Sequence, residues 1–208
     1  MLSIIAGILI ALGGTAFLQT KELIGAILFS IGLLTILHYK CALFTGKAGL
    51  LADRAIKPLE LLKIYCGNLI GSISMAGLLA ITPFGEKLGE QAAAINQIRL
   101  TNLWYENIVL GLLCGMFMFI AVAHYETKPW VTMMCVVGFI LTGVNHCVAD
   151  MFYLFLGGFS WKGALALLCT SVGNLIGCNF IPLLLRLHQW FQLRNNQSMI
   201  QSHRDNVH

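Results

Sequence analysis

Six long apolar runs constrain the fold of this 208-residue chain more than any other feature. A helix needs roughly 20 apolar residues to cross about 30 Å of hydrocarbon, and each run approaches or exceeds that length. Hydrophobic residues make up 58% and charged residues 11% of the chain, whereas soluble domains carry about 45–50% and about 25%. This apolar excess cannot be buried in one core. The pattern therefore predicts an all-α integral membrane protein with six transmembrane helices in the lipid bilayer.

The runs leave little room for a separate soluble domain. They span about 3–18, 23–39, 61–81, 104–124, 130–156 and 161–187, with long loops predicted at 41–60 and 82–103. We predict one transmembrane domain over 1–187 and a polar tail over 188–208. Because the chain enters its first run without a basic segment, that run is interpreted as a span and not as a cleaved signal peptide.

Charge in the loops predicts the orientation. An even number of spans places both termini on one side, and nine of the 13 Lys and Arg residues fall on that side. The positive-inside rule then predicts that both termini are cytoplasmic. All four tryptophans lie at predicted span ends, as is typical of an interfacial aromatic belt. A bacterial inner membrane fits this arrangement.

Several functional classes find no support in the sequence. The basic residues form no stripe of the kind that binds nucleic acid. No hydrolase or metalloprotease motif is present, so an enzyme is not expected. The seven cysteines include no CxxC pair and lie mostly in apolar runs, which predicts neither a disulfide framework nor a metal site. No cofactor is expected.

An internal repeat indicates duplication. The segment Gly67-Asn68-Leu69-Ile70-Gly71 recurs 106 residues later as Gly173-Asn174-Leu175-Ile176-Gly177, and the same offset relates Cys41-Ala42 to Cys147-Val148. A duplicated unit of three spans must insert its second copy upside down, which is the inverted-repeat plan of many transporters. We place the two repeats at about 1–82 and 103–187. The glycine pairs and asparagines of the motif are interpreted as helix-packing positions (Gly67, Asn68, Gly71, Gly173, Asn174, Gly177).

The second and fifth spans each carry a predicted interruption, at 43–47 and 149–151. Irregular backbone at membrane depth persists only where it lines a cavity or is buried in protein, so paired interruptions indicate a permeation pathway. His146 lies beside the second interruption, near the middle of its run. An ionisable residue at that depth is functional by default, although a neutral packing histidine is the alternative.

These segments together resemble the formate/nitrite transporter family. The resemblance rests on Leu43-Phe44-Thr45-Gly46, on the two Gly-Asn-Leu-Ile-Gly motifs, and on 146–152, and it covers essentially residues 1–187. It implies an aquaporin-like fold with inverted repeats and broken second and fifth helices. It further implies a homopentamer with one pore per subunit, which passes small monovalent anions such as formate, nitrite or hydrosulfide, with proton involvement.

The resemblance also assigns residues. It places the central pore histidine at His146, the threonine of the second-span break at Thr45, and a vestibule cation at Arg99. Hydrophobic constriction positions fall on Phe29, Leu33, Leu43, Phe44 and Phe139. A histidine suits proton exchange because its unperturbed pKa is about 6.5.

Several positions depart from the family pattern. Lys47 and Asp150 replace uncharged residues, Asn145 replaces a common acidic residue, Gly115 replaces an asparagine, and the family's N-terminal helix is not seen. Because a lone charge in the bilayer core costs at least about 2.5 kcal/mol, we predict that Lys47 pairs with Asp150, with Lys40 as the alternative cation. Two other functions stay open: a pore for neutral water, urea or ammonia, and a closed structural or sensor subunit.

Overall fold

The computed structural model describes the backbone of residues 1–205 and the side chains of residues 1–195. Over this range the chain is helical and contains no strand. Residues 206–208 of the predicted polar tail lie outside the described residues. The helices, in chain order, are α1 Leu2–Thr20, α2 Glu22–His38, α3 Phe44–Ala48, α4 Pro58–Ala80, α5 Gly85–Thr101, α6 Trp104–His124, α7 Pro129–Leu141, α8 Cys147–Leu156 and α9 Trp161–Asp205.

Four helices are long and apolar enough to cross a membrane by length and composition: α1, α4, α6 and the Trp161–Asn195 part of α9. Three further apolar helices, α2, α7 and α8, are shorter. The fifth predicted run is therefore two helices, and the second run is followed by the five-residue α3. The last helix continues to Asp205, past the predicted end of its run.

The interruptions lie earlier than the sequence suggested. Residues 39–43 separate α2 from α3, and residues 142–146 separate α7 from α8. The predicted positions at 43–47 and 149–151 are wrong, because most of the first segment and all of the second are helical. Helix α3 begins within the first of these segments and α8 begins before the second, because their first backbone N–H groups find remote acceptors, which are described below.

Helix α5 occupies a segment that we predicted to be a loop. Although many residues of this segment are polar, the buried positions Leu88, Ala92 and Asn96 are spaced four apart, as on one face of a helix. Asn96 Nδ2 donates a 2.8 Å hydrogen bond to the Tyr153 carbonyl of α8. An added Cβ on Gly157, just beyond α8, would overlap the α5 backbone at Ala92 and Ala93. These contacts fix α5 against α8 and so set the position of Arg99 near its end.

The glycine pairs of the repeated motif allow close helix packing. An added Cβ on Gly71 would overlap the Ile4 carbonyl of α1, and one on Gly177 would overlap the Leu112 carbonyl of α6. Backbone atoms cannot move aside as a flexible side chain does. The small residues are therefore required by the contacts of α4 with α1 and of α9 with α6.

We expect Gly71→Ala to destabilise the protein by about 1–3 kcal/mol, because the new methyl meets backbone and the two helices must separate. Gly77→Ala on the same helix is the matched control, since no atom lies within 4 Å of its added Cβ. Thermal unfolding in detergent measures both variants. Equal unfolding temperatures would show that α1 and α4 adjust freely.

Candidate pore and vestibule site

Two buried asparagines form hydrogen bonds with the backbone at the two interruptions. Asn68 Oδ1 accepts a 2.7 Å hydrogen bond from the Phe44 N–H, the first of α3, while its Nδ2 donates to the Ala42 and Ser3 carbonyls. A helix N-terminus leaves such N–H groups without intrahelical partners. One side chain thus satisfies a donor and an acceptor of the irregular segment and ties both to α1.

Asn174 does the same at the second interruption. Its Oδ1 accepts from the Cys147 N–H at 2.8 Å, and its Nδ2 donates to the Asn145 and Gly111 carbonyls at 2.9 and 2.8 Å. The hydrogen bonds match Phe44 with Cys147, which are 103 residues apart, and not Cys41 with Cys147. The predicted alignment of Cys41-Ala42 with Cys147-Val148 is therefore wrong by three residues. The asparagines themselves keep the offset of 106.

Thr45 and His146 meet where the two short helices begin. Thr45 Oγ1 lies 2.9 Å from His146 Nε2, and both residues are buried. His146 is also the N-cap of α8, because its Nδ1 accepts a 3.2 Å hydrogen bond from the Ala149 N–H. The structure thus brings together the two polar residues that the resemblance placed in the pore.

The hydrogen bonds assign the ring proton of His146. Since Nδ1 accepts from a backbone N–H, it carries no proton, and a neutral imidazole must then carry its proton on Nε2. Nε2 therefore donates to Thr45 Oγ1, which leaves the threonine hydroxyl proton free to donate elsewhere. A second ring proton on Nδ1 would break the bond to Ala149 and face the positive end of α8. The geometry suits a neutral hydrogen-bond donor.

Aromatic and aliphatic side chains surround this pair. The Phe139 ring stacks on the His146 ring with centroids 5.6 Å apart, and Phe29 meets Phe139 edge-on at 6.0 Å. Leu33 and Leu43 are buried, and Phe44 packs edge-on against Tyr65. Phe29 and Phe139 line the cavity described next, Leu43 lines a second one, and Leu33 and Phe44 line neither.

A cavity of about 190 Å³ lies on one side of His146, and we name it the Arg99 cavity. Its apolar wall includes Phe29 and Phe139, and its polar lining is formed by Arg99, His146, Asp150 and Tyr153. An apolar wall with few polar groups is typical of a small-ligand site.

Asp150 pairs with Arg99, and the predicted pairing with Lys47 is wrong. Arg99 Nε lies 3.4 Å from Asp150 Oδ1. Among the described residues, neither Lys47 nor Lys40 forms an ion pair within 4 Å. The physical reason is that Lys47 and Asp150, each the fourth residue of its short helix, line different cavities.

The second cavity, named here the Lys47 cavity, has a volume of about 260 Å³. Leu43 lies in its lining next to Gly46, so this cavity approaches the Thr45–His146 pair from the α3 side. Its charged lining residues are Lys40, Lys47 and Glu126. The buried Thr45–His146 pair is therefore adjacent to two cavities, since His146 lines one and Gly46 lines the other, and each cavity has a cation in its lining.

Sequence reasoning missed several lining residues. Tyr153 follows Asp150 by three residues on α8, and helical spacing from His146 through Asp150 could have indicated it. Glu126 follows α6, and nothing local in its sequence links it to Lys47. Asn107 was also missed: its Oδ1 accepts from Asn145 Nδ2 at 3.0 Å and its Nδ2 donates to the Arg99 carbonyl. No group of three or more His, Cys, Asp or Glu residues in the described chain could hold a metal ion.

Comparison with known proteins agrees with this architecture. The sequence model described as formate/nitrite transporter matches residues 1–188. The formate channel FocA of Haemophilus influenzae is 25% identical over 155 residues, which cover 65% of this chain. The matched region spans only 54% of the length of FocA.

Two solved structures share the fold. One, described as a pentameric formate channel with formate bound, superposes with a TM-score of 0.74 at 22% identity and covers 94% of this chain and 95% of its own. The other, described as an FNT family ion channel, has the same TM-score of 0.74 at 21% identity, with 91% and 88% of the two chains covered. Because the family model spans nearly the whole sequence, the chain belongs to the formate/nitrite transporter family.

Proposed function

We propose that this protein is a channel or transporter for small monovalent weak-acid anions of the formate, nitrite or hydrosulfide class. The observation that carries the proposal is the buried Thr45–His146 pair, enclosed by apolar side chains between two cavities that each bear a cation. The formate channel among its relatives supports the substrate class.

The cations of the two cavities and the apolar stretch between them have different roles in this proposal. Arg99 and Lys47 raise the local concentration of anions at the two cavities. A bare anion pays several kcal/mol to enter an apolar constriction, which Phe29, Leu33, Leu43, Phe44 and Phe139 provide here. The Thr45 hydroxyl, oriented by the His146 N–H, offsets part of this cost by hydrogen bonding. Proton linkage removes most of the rest, because a neutral weak acid is far easier to dehydrate than its anion.

The six-span inverted repeat is part of the proposal. Asn68 and Asn174 make matching hydrogen bonds, and Tyr65 Oη lies 2.9 Å from Ser171 Oγ, its counterpart at the offset of 106. A residue and its counterpart contact each other only near a two-fold axis, which supports an axis between α4 and α9. In this arrangement α2 with α3, and α7 with α8, each form one broken span, while both termini are cytoplasmic in a bacterial inner membrane.

We further propose a homopentamer in which each subunit has its own pore. Apolar side chains that the single chain leaves exposed on α2, α4 and α9 must face lipid or neighbouring subunits, and one solved structure of this fold is described as pentameric. The mass of the purified protein in detergent tests this directly.

Flux into liposomes that contain the purified protein tests the function. We expect formate, nitrite and hydrosulfide to pass, faster as the external pH falls towards the pKa of each acid, and chloride to pass at least about tenfold more slowly because it stays charged. Protein-free liposomes correct for leakage. Rapid urea, ammonia or water flux without anion flux would support the neutral-solute pore instead, and no flux of any solute would support a closed subunit.

A further inference from the structure

The Arg99–Asp150 pair has an unusual geometry for a buried ion pair. Asp150 is only 4% exposed and lines the Arg99 cavity. Its single ionic contact is the 3.4 Å approach of Arg99 Nε to Oδ1. Among the described residues, Asp150 Oδ2 and Arg99 Nε have no hydrogen-bond partner. A buried carboxylate normally has its lone pairs satisfied, so the open oxygen next to a cavity calls for a functional explanation.

Within the part of the chain whose side chains are described, Arg99 is the only cation at ion-pair distance from Asp150. Helix α8 packs against α1, α4, α5 and α9. Helix α1 carries no ionisable side chain. On α9, Lys162 and Cys169 line a separate cavity together with Arg99. The remaining ionisable groups around the carboxylate are one imidazole, already neutral by its hydrogen bonds, and phenols and thiols that are uncharged at pH 7 (His146, Tyr65, Cys114, Cys147, Tyr153).

His146 cannot supply a proton easily. Its Nε2 proton is the only one on the ring, and giving it away would leave an imidazolate. A proton donor must therefore be another group in contact with the same cavity. Asp150 has the required chemistry, because a carboxyl group separated from Arg99 in a poorly hydrated cavity favours its neutral form, so it can take up a proton at a pH where the anion in bulk water stays charged.

We propose that Asp150 protonates the permeating weak-acid anion inside the Arg99 cavity. This inference rests on the proposed function. The anion binds Arg99 in place of the Asp150 carboxylate, and the displaced carboxylate takes a proton from a hydronium ion of the bulk water that enters the cavity, which leaves a water molecule. The O–H bond at Oδ2 then breaks, its electron pair stays on Asp150, and the proton forms a new O–H bond on the anion. The neutral acid moves past Thr45 and His146 while the Asp150 carboxylate pairs with Arg99 again.

The loose ion pair suits this exchange. A two-bonded guanidinium–carboxylate fork would hold Asp150 firmly, whereas one 3.4 Å contact leaves both partners open to competition. Members of the family that the sequence resembles usually have asparagine at the position of Asp150. An asparagine can form a hydrogen bond with the anion but cannot give it a proton. Asp150 would therefore distinguish this channel from relatives with an amide there.

The test is the pH profile of formate uptake by liposomes that contain wild-type protein, Asp150→Asn or Asp150→Glu. In the absence of a donor, flux depends on acid already protonated in bulk water, which falls about tenfold per pH unit above the pKa of the acid. We expect Asp150→Asn to follow that slope between pH 5 and 7. Wild type and Asp150→Glu should decline clearly less steeply and exceed Asp150→Asn by at least about tenfold at pH 7.

Equal slopes for wild type and Asp150→Asn, with formate still transported, would overturn the proton-donor role and leave the proposed function standing. Failure of wild type to carry any weak-acid anion would remove both. Size-exclusion chromatography checks that each variant is folded. If Asp150→Asn does not fold, the wild-type slope decides alone: a tenfold fall per pH unit contradicts the proposal, and a shallower one with Asp150→Glu unchanged supports it.

Discussion

Replacing His146 by Phe is expected to lower formate flux by about tenfold to a hundredfold at every pH. The Nε2–H donor to Thr45 disappears, so the hydroxyl loses its fixed orientation and the buried stretch loses polar groups. A hydrogen bond between neutral groups is worth about 0.5–1.5 kcal/mol, so the loss of the His146 donor and of the oriented Thr45 hydroxyl together corresponds to roughly that range of rates. The initial rate of formate uptake into liposomes measures the effect.

Two companion variants separate transport from stability. His146→Phe also removes the cap that accepts from the Ala149 N–H, and such a loss costs about 1 kcal/mol. His146→Asn keeps a capping oxygen but is too short to reach Thr45, so it should recover stability without recovering flux. Thr45→Val removes only the hydroxyl and keeps the shape. If the pair acts as a unit, Thr45→Val should lower flux comparably, and the double variant should be little worse than His146→Phe.

A His146→Phe channel with wild-type flux and pH profile would show that His146 only packs against Phe139. The expected separation from Asp150 is equally informative. His146 variants should change the rate and leave the slope of the pH profile, whereas Asp150→Asn should change the slope. His146 caps α8, Asp150 lies four residues later, and both line one cavity, so these measurements separate a hydrogen-bonding role from a proton-donor role where proximity cannot.

Hydrophobic length predicted the apolar helices well, because a bilayer requires long runs of apolar residues. The six runs correspond to α1, α2, α4, α6, the α7–α8 pair and α9. The repeated Gly-Asn-Leu-Ile-Gly motif identified α4 and α9 as corresponding helices. Close backbone contact requires the glycines, and the backbone of the interruptions requires the buried asparagine amide. Local composition therefore predicted the apolar helices and the correspondence of α4 with α9. His146 was indicated by its depth in an apolar run, and both His146 and Thr45 by the family resemblance.

The remainder depended on long-range contacts. The polar sequence of α5 suggested a loop. Nothing in the sequence therefore predicted that Arg99, and not Lys47 or Lys40, would lie beside Asp150. The positions of the interruptions were missed for a related reason. The first N–H groups of α3 and α8 are bound by Asn68 and Asn174, each more than 20 residues away, and no local pattern shows where such a side chain will reach.

The largest structural effect is expected from Asn174→Leu. This change keeps the side-chain volume similar but leaves the Cys147 N–H and the Asn145 carbonyl without their partner, and the α6 carbonyl of Gly111 loses its second hydrogen bond. Each unsatisfied buried group costs about 1–3 kcal/mol. The two together cost about 2–6 kcal/mol, a large share of the free energy of unfolding of a typical domain, about 5–15 kcal/mol. We expect the variant to yield little monodisperse protein, as judged by size-exclusion chromatography in detergent.

Thr142→Val is the control for loss of a polar group at the same interruption. The Thr142 hydroxyl bonds only to carbonyls of its own helix, at Gly138 and Phe139, so its removal should change stability by less than about 0.5 kcal/mol. Asn68→Leu should resemble Asn174→Leu, because it leaves the Phe44 N–H and the Ala42 carbonyl unpaired and removes the second hydrogen bond of the Ser3 carbonyl in α1. If both asparagine variants were as stable as Thr142→Val, water would have to satisfy the interrupted backbone. The segments before α3 and α8 would then be hydrated, and the dry constriction on which the transport proposal depends would not exist.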